Sequence, residues 1–410
     1  MPPSAISRFA SISLLAATFA FAQTAPAPTP SYRFASAGAS VRIPIEVIAD
    51  GLVFVHAKIN DRPGWFILDN AVQGFIVDRH YARQNSLQTS GTALTRGEGP
   101  KATEAGIIRD VKISLPGFDL THRVLTAIDL KSLEPAIGHE VDGIIGSRLI
   151  DDFVIAVDYE RRQLSIFEPD RYHPAKETAL PVRVDEHGFH FIDATVVLPG
   201  VAPITGNFLI DSGANTYLDV YKPFSDAHQL PPPTMKLLGA PGTSARATTK
   251  SKDGRAERIE IGPFSIKNPP ISFVEDVEGL MAANDHAGLI GAGFLQRFTV
   301  VYDSRGKRIL LSPNVSYADP PQYDQSGLRI RAEGGDFRRF IVTRILPQSP
   351  AAEAGFEPGD LIESIDDRLA SQLALTEIRR MLRQPKARYT LSIMRGKQRL
   401  RVTIQLRPLL

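Results

Sequence analysis

Two stretches of this chain read alike when laid side by side, and a duplicated unit of that size restricts the fold more than any other feature. The first opens Ile43-Pro44-Ile45-Glu46-Val47 and reaches Gly51 seven positions past its proline; the second opens Leu180-Pro181-Val182-Arg183-Val184 and reaches Gly188 at the same offset. Alternating side chains follow in each copy: Val53, Val55 and Ala57, then Phe189, Phe191 and Asp193, the period of a half-buried strand. Next comes an apolar run ending in aspartate, Gly64-Trp65-Phe66-Ile67-Leu68-Asp69 against Gly206-Asn207-Phe208-Leu209-Ile210-Asp211, the aspartates 142 residues apart. Asp142-Gly143-Ile144-Ile145-Gly146 then matches Ala287-Gly288-Leu289-Ile290-Gly291, and 12 residues separate each last glycine from Asp158 or Asp303. Strand-like tails close the copies at Gln163 to Phe167 and Arg308 to Leu311. Short strands punctuated by Gly, Pro and Asn predict a mainly β chain with two tandem lobes, and short helices near Asp78–Gln84 and Val220–His228.

An aspartate at the end of a buried apolar strand is costly unless something satisfies it. The second copy reads Asp211-Ser212-Gly213-Ala214, with an apolar-apolar-Gly turn about eighty residues on, Leu289-Ile290-Gly291; the first copy has Ile144-Ile145-Gly146. From Val41 to Pro313 the chain resembles the retropepsin-like aspartic peptidases of the pepsin and retropepsin clan. That resemblance implies two acid-protease-type β lobes that bring Asp69 and Asp211 together as a catalytic dyad. Two such carboxyls share one proton: one serves as base toward water and the other polarises the peptide carbonyl. It also implies supporting roles for Asn70, Ala71, Ser212, Gly213, Gly146 and Gly291, a polypeptide substrate, no cofactor and no metal. The Gly-rich stretches Arg96–Pro100 and Gly239–Thr243 are expected to cover the cleft. The first copy departs from the pattern, because Asn70 and Ala71 replace the hydroxyl and the glycine. Asp69 is therefore expected to be less well held, and Thr at position 70 with Gly at position 71 to raise activity. The competing expectation is a non-catalytic peptide-binding scaffold with a degenerate first lobe.

The pattern changes at Gly327. Ser349-Pro350-Ala351-Ala352-Glu353-Ala354-Gly355 predicts a short helix with a glycine stop, and Glu357-Pro358-Gly359-Asp360-Leu361-Ile362 a turn into a strand. A second helix near Leu375–Arg383 puts Leu375, Ile378 and Leu382 on one face, and two strands close the unit, Tyr389–Met394 and Leu400–Leu406. This α+β module is similar to bacterial PDZ domains. The resemblance implies a groove beside an edge strand, where Gly327, Leu328, Arg329 and Ile330 hold the C-terminal carboxylate of a bound polypeptide. A groove filled by the chain itself is the alternative. The module carries 16 Lys and Arg against 9 Asp and Glu, although the whole chain is only +2, so nucleic acid is not expected as a partner.

The N-terminus has Arg8, then 14 apolar or small residues from Phe9 to Ala22, too few to span a bilayer. The run ends in Ala20-Phe21-Ala22, which predicts a signal peptide cleaved after Ala22 and a periplasmic or secreted protein with no integral membrane segment. Absence of cysteine excludes disulfides and thiolate chemistry. His187 and His190 stand three apart in a strand and so face opposite ways, unsuited to a shared metal. Asp158 and Asp303 read as turn residues. The expected order is signal peptide 1–22, Pro-rich tether 23–40, first lobe 41–179, second lobe 180–314, linker 315–326 and PDZ-like domain 327–410.

Overall fold

The computed structural model describes residues 12–13, 31–35, 40–95, 103–244, 248–275 and 285–410. The chain is mainly β, as the strand periods predict, and the duplication is visible strand by strand. In the first lobe the apolar strand Arg62–Leu68 pairs with Leu52–Ile59 on one side. On its other side it runs parallel to Gly143–Ile145, which lies antiparallel to Phe75–Asp78, itself parallel to Phe118–Ile128. The second lobe repeats this order with Ile204–Asp211, His190–Val197, Gly288–Gly291, Leu218–Val220 and Pro270–Val274. Each central strand is apolar throughout its inner half because it is buried on both faces, with Ile67, Leu68 and Phe208 fully enclosed.

A third sheet joins the lobes. Its six strands run Thr178–Pro181, Arg308–Pro313, Phe298–Asp303, Val154–Asp158, Gln163–Phe167 and Ser40–Pro44. The central pair, Val154–Asp158 against Phe298–Asp303, contributes one strand from each copy, so the pseudo-two-fold axis passes between them. Asp158 and Asp303 end those strands, and from there they accept the amides of Arg161 and Gly306 in the following turns at 2.9 Å. The predicted short helices form at Arg79–Gln84, where Asp78 accepts the first free N–H groups, and at Lys222–Ala227.

The C-terminal module has its own sheet, in the order Leu328–Glu333, Arg339–Ile345, Leu361–Ile365, Arg388–Arg395 and Gln398–Gln405. Helices Pro350–Glu353 and Leu375–Met381 cover it, and Phe340, Ile362, Ile378 and Leu391 lie in its core. Among the described residues no helix is long and apolar enough to cross a membrane.

Two segments between the expected domains are tied to the lobes. Ser31–Phe34, within the span read as tether, pairs antiparallel with Phe118–Ile128, because Tyr32 and Phe34 alternate onto a ring cluster with Phe118 and Phe153. The segment read as linker is clamped rather than free. Arg297 donates to the carbonyls of Ser316, Tyr317 and Asp319, and Tyr323 donates to Asp253 at 2.8 Å. The Ala20–Ala22 cleavage site lies outside the described residues.

Candidate active site

Each aspartate sits where its central strand ends, and both are completely buried. Backbone hydrogen bonds fix them alike: the N–H two residues on donates to one carboxyl oxygen, Ala71 to Asp69 and Gly213 to Asp211, both at 2.8 Å. The residue between them reaches across the axis. Ser212 Oγ donates to the carbonyl of Leu68 at 3.1 Å and accepts the N–H of Asn70 at 3.1 Å. Asn70 mirrors this, its Nδ2 donating to the carbonyl of Ile210 at 2.6 Å and its Oδ1 accepting the N–H of Ser212 at 2.7 Å. Four buried hydrogen bonds thus cross between the lobes, two from each copy.

This corrects one expectation from the sequence. The carboxamide at position 70 does what a hydroxyl would do, because a side chain with one donor and one acceptor within a single planar group can satisfy the same two backbone partners. Asp69 is held as Asp211 is. Ala71 has a different consequence: its methyl joins an apolar cluster with Phe189, Phe191, Leu209 and Ala214, where glycine would leave space.

The remaining supporting residues fall where the repeat puts them. A Cβ at Gly146 would lie 2.2 Å from the carbonyl of Val72, and one at Gly291 would lie 2.4 Å from that of Thr216. Both glycines therefore let the loop after each aspartate pass directly over the apolar-apolar-Gly strand. Gly213 is closest to the buried carboxyls, because a Cβ there would meet Asp69 Oδ2 at 2.1 Å. The two copies of the motif are thus in van der Waals contact, carboxyl against backbone. Gly213→Ala is expected to push the Asp69 carboxyl aside and to cost roughly 1–3 kcal/mol as an overpacked core does. Equilibrium denaturation would measure it, and an unchanged midpoint would contradict this packing.

Burial raises the Asp211 carboxyl to about 7 against the opposing pull of the Gly213 and Ala214 amides, and nearby Asp219 adds to the rise. Its Oδ2 has no hydrogen-bond partner in the protein. Asp219 is itself raised to about 7 by burial, opposed by a 2.7 Å bond from Thr216.

The sequence reading missed a buried polar group below this site. His190, fully enclosed, shares a 2.8 Å hydrogen bond between Nε2 and Ser304 Oγ, and its ring lies 6.1 Å from that of Tyr302. Burial lowers the imidazole to about 4, partly opposed by Asp303. Tyr302, also fully buried, feels both Asp211 and Asp69; burial, Tyr159 and these carboxyls together push its phenol up. The repeat carried the signal. Two residues past Gly51 stands Val53, but two past Gly188 stands His190; eleven past Gly146 stands Val157, but eleven past Gly291 stands Tyr302.

Of the stretches expected to cover the cleft, Gly239–Thr243 lies in a hairpin strand, Leu238–Ser244, paired with Thr248–Arg255. Arg96–Pro100 lie outside the described residues, and no metal-binding cluster occurs among the described ones.

In the C-terminal module, Gly327 adopts φ +78°, and a Cβ there would lie 2.2 Å from Ser349. The loop amides expected to receive a carboxylate are already taken. Gly327 N–H donates to Asp324 at 2.8 Å and Leu328 N–H to Ser326 Oγ at 3.0 Å. The Arg329 guanidinium is bound to Asp324 and Tyr323, and Ile330 is buried.

A mainly β chain of two matched lobes and a separate α+β module is thus established by fold and register alone. Comparison with known families adds one finding: residues 341–394 match the family model of the PDZ domain, so the C-terminal module contains a PDZ domain, a peptide- or protein-binding unit. No curated protein matches the chain.

Proposed function

We propose that the two lobes form an exported aspartic endopeptidase, with Asp69 and Asp211 activating water against a peptide bond, and that the PDZ domain serves polypeptide recognition. The observation that carries this reading is the set of four cross-lobe hydrogen bonds from Asn70 and Ser212, which holds two buried carboxyls at the axis in equivalent settings. A chain kept only as a scaffold has no need to bury two carboxyls against each other, since burial without ionic partners is costly. The raised Asp211 supplies the protonated member of the dyad. Export rests on Arg8, the apolar run and the Ala20-Phe21-Ala22 site.

The pH range of activity follows from two buried groups with opposite requirements. Hydrolysis needs one shared proton, which Asp211 loses above about 7. His190 must stay neutral to remain buried, and it takes up a proton as pH falls toward about 4. Because its folded value lies below its unfolded one, stability falls as pH drops from 6.5 to about 4. Purified protein incubated with an unfolded polypeptide should therefore release new N-termini with a maximum between about pH 4 and 7. A folded protein that releases none at any pH from about 3 to about 9 overturns the reading.

A further inference from the structure

The edge strand Leu328–Glu333 of the PDZ domain ends its sheet, and among the described residues no strand pairs with its outer edge. With helix Leu375–Met381 it bounds the groove in which such domains take a peptide strand. That groove is not empty. The first lobe's turn Glu134–Ile137 packs along the Leu328–Glu333 strand. Gly138, at φ +77°, follows it so closely that a Cβ would lie 2.8 Å from Leu375 Cβ. Arg379 spans the groove, donating to the carbonyl of Ile330 at 3.3 Å. Ala49 N–H meets Thr376 Oγ1 on the helix at 3.4 Å, and just past the helix end Asp50 forms a two-pronged ion pair with Arg383, Nη2 to Oδ2 at 2.7 Å. Burial alone would raise the Asp50 carboxyl; Arg383 beside it holds it below its ordinary value.

We propose that the PDZ groove is latched in cis by the first lobe, so that a polypeptide C-terminus must displace residues 131–139, and the Asp324 and Ser326 side chains from the loop amides, to bind, and that its binding releases a brace on the dyad. The first half stands on the contacts above. The second half rests on the peptidase reading. Asp50 precedes Gly51, where a Cβ would lie 2.7 Å from the carbonyl of Ala292, and Gln296 donates to the carbonyl of Asp50 at 3.2 Å. Ala292 follows Gly291, which is paired with Asp211. The turn that Arg383 grips therefore bears on the strand beside the catalytic carboxyl. A cavity of about 690 Å³ separates the groove's carboxylate end from lobe two, lined by Leu328, Arg329, Arg379, Asn215 and Tyr217 among others. The bistable element is the module itself, docked or undocked, and a ligand of the undocked state shifts that balance.

The test uses the full-length protein and labelled decapeptides with a free C-terminal Leu, Ile, Val, Phe or Ala, read by fluorescence anisotropy. A competitor bound in cis weakens apparent affinity by the fraction of open grooves, so Asp50→Arg and Arg383→Asp should each bind at least one of these peptides about tenfold more tightly than wild type. The double swap, which restores an ion pair with its polarity reversed, should return affinity toward wild type. Equal binding by wild type and both single variants overturns the latch. Hydrogen exchange on the wild-type protein gives a second readout that needs no variant. Saturating peptide should speed exchange of the amides at 131–139, and unchanged exchange at bound saturation also overturns it. Peptide should raise hydrolysis of an unrelated unfolded polypeptide severalfold; tight binding with a constant, measurable rate sinks the brace alone. Absence of hydrolysis under all conditions counts against the dyad and leaves the binding result to decide the latch.

Discussion

Asp211→Asn is expected to lose peptide hydrolysis by a factor on the order of 10³ to 10⁴ and, at neutral pH, to melt at a higher temperature than wild type. An amide can neither share the dyad's proton nor pass it on, so the reaction fails even though the shape is retained. Asp69→Asn should fail equally, and the double variant little more, since the two carboxyls act as one unit. Stability moves the other way because the carboxyl is buried. Its folded value is raised to about 7 from an ordinary 3.8, so between these values the folded protein retains a proton that the unfolded chain has released. Stability therefore falls as pH rises through that window, and replacement by a neutral amide removes the penalty. The Gly213 N–H keeps an oxygen to donate to. The rise in melting temperature should be largest near pH 7 and vanish near pH 4, about the two ends of that window. Hydrolysis that survives Asp211→Asn excludes the dyad, and a lowered melting temperature at neutral pH excludes the burial argument.

What could be read in the sequence was whatever the duplication wrote twice. Strand order, the buried aspartates and the glycines over which their loops cross all recur at fixed offsets, and each recurrence is a local statement about burial or backbone clearance. Differences between the copies were harder to read. Asn70 looked like a lost hydroxyl, because equivalence between a carboxamide and a hydroxyl depends on where Ile210 O and Ser212 N lie, and those belong to the other lobe. His190 looked like half of a poor metal site, although standing in for Val53 it marked a buried polar position. Ser31–Phe34 was hidden by its proline-rich neighbourhood, since a four-residue edge strand with two aromatic anchors has little period to show. The partners that tie the first lobe to the C-terminal module could not be read at all. They are Asp50 with Arg383 and Gly138 with Leu375, pairs with no shared local pattern.

Asn70→Ala is expected to be the most destabilising single change in the site that leaves both carboxyls in place. It removes the donor to Ile210 O and the acceptor of Ser212 N–H, and both backbone groups are too deeply buried for water to replace the lost partner. Two such groups left unsatisfied cost about 2–5 kcal/mol together. The cost should appear as a lower denaturant midpoint with a similar slope, because the fold is retained while the lobes lose their tie. Ser212→Ala should cost a comparable amount through Leu68 O and Asn70 N–H. Combining the two should cost more than their sum, since each single variant leaves the aspartates relying on the other's bonds. Asn70→Thr behaves differently: a hydroxyl at that position can donate to Ile210 O and accept from Ser212 N–H, as Ser212 does in mirror image, so its cost should stay within about 1 kcal/mol. Ala71→Gly then adds a penalty of its own, because the methyl it deletes is packed against Phe189 and Leu209. The double variant Asn70→Thr with Ala71→Gly, which sequence alone marks as a repair, should therefore be no more active than wild type. A severalfold gain in hydrolysis by that variant would show that the Asn70 bonds are inferior after all; equal rates, with Asn70→Ala both unstable and slow, would place the carboxamide as a full member of the site.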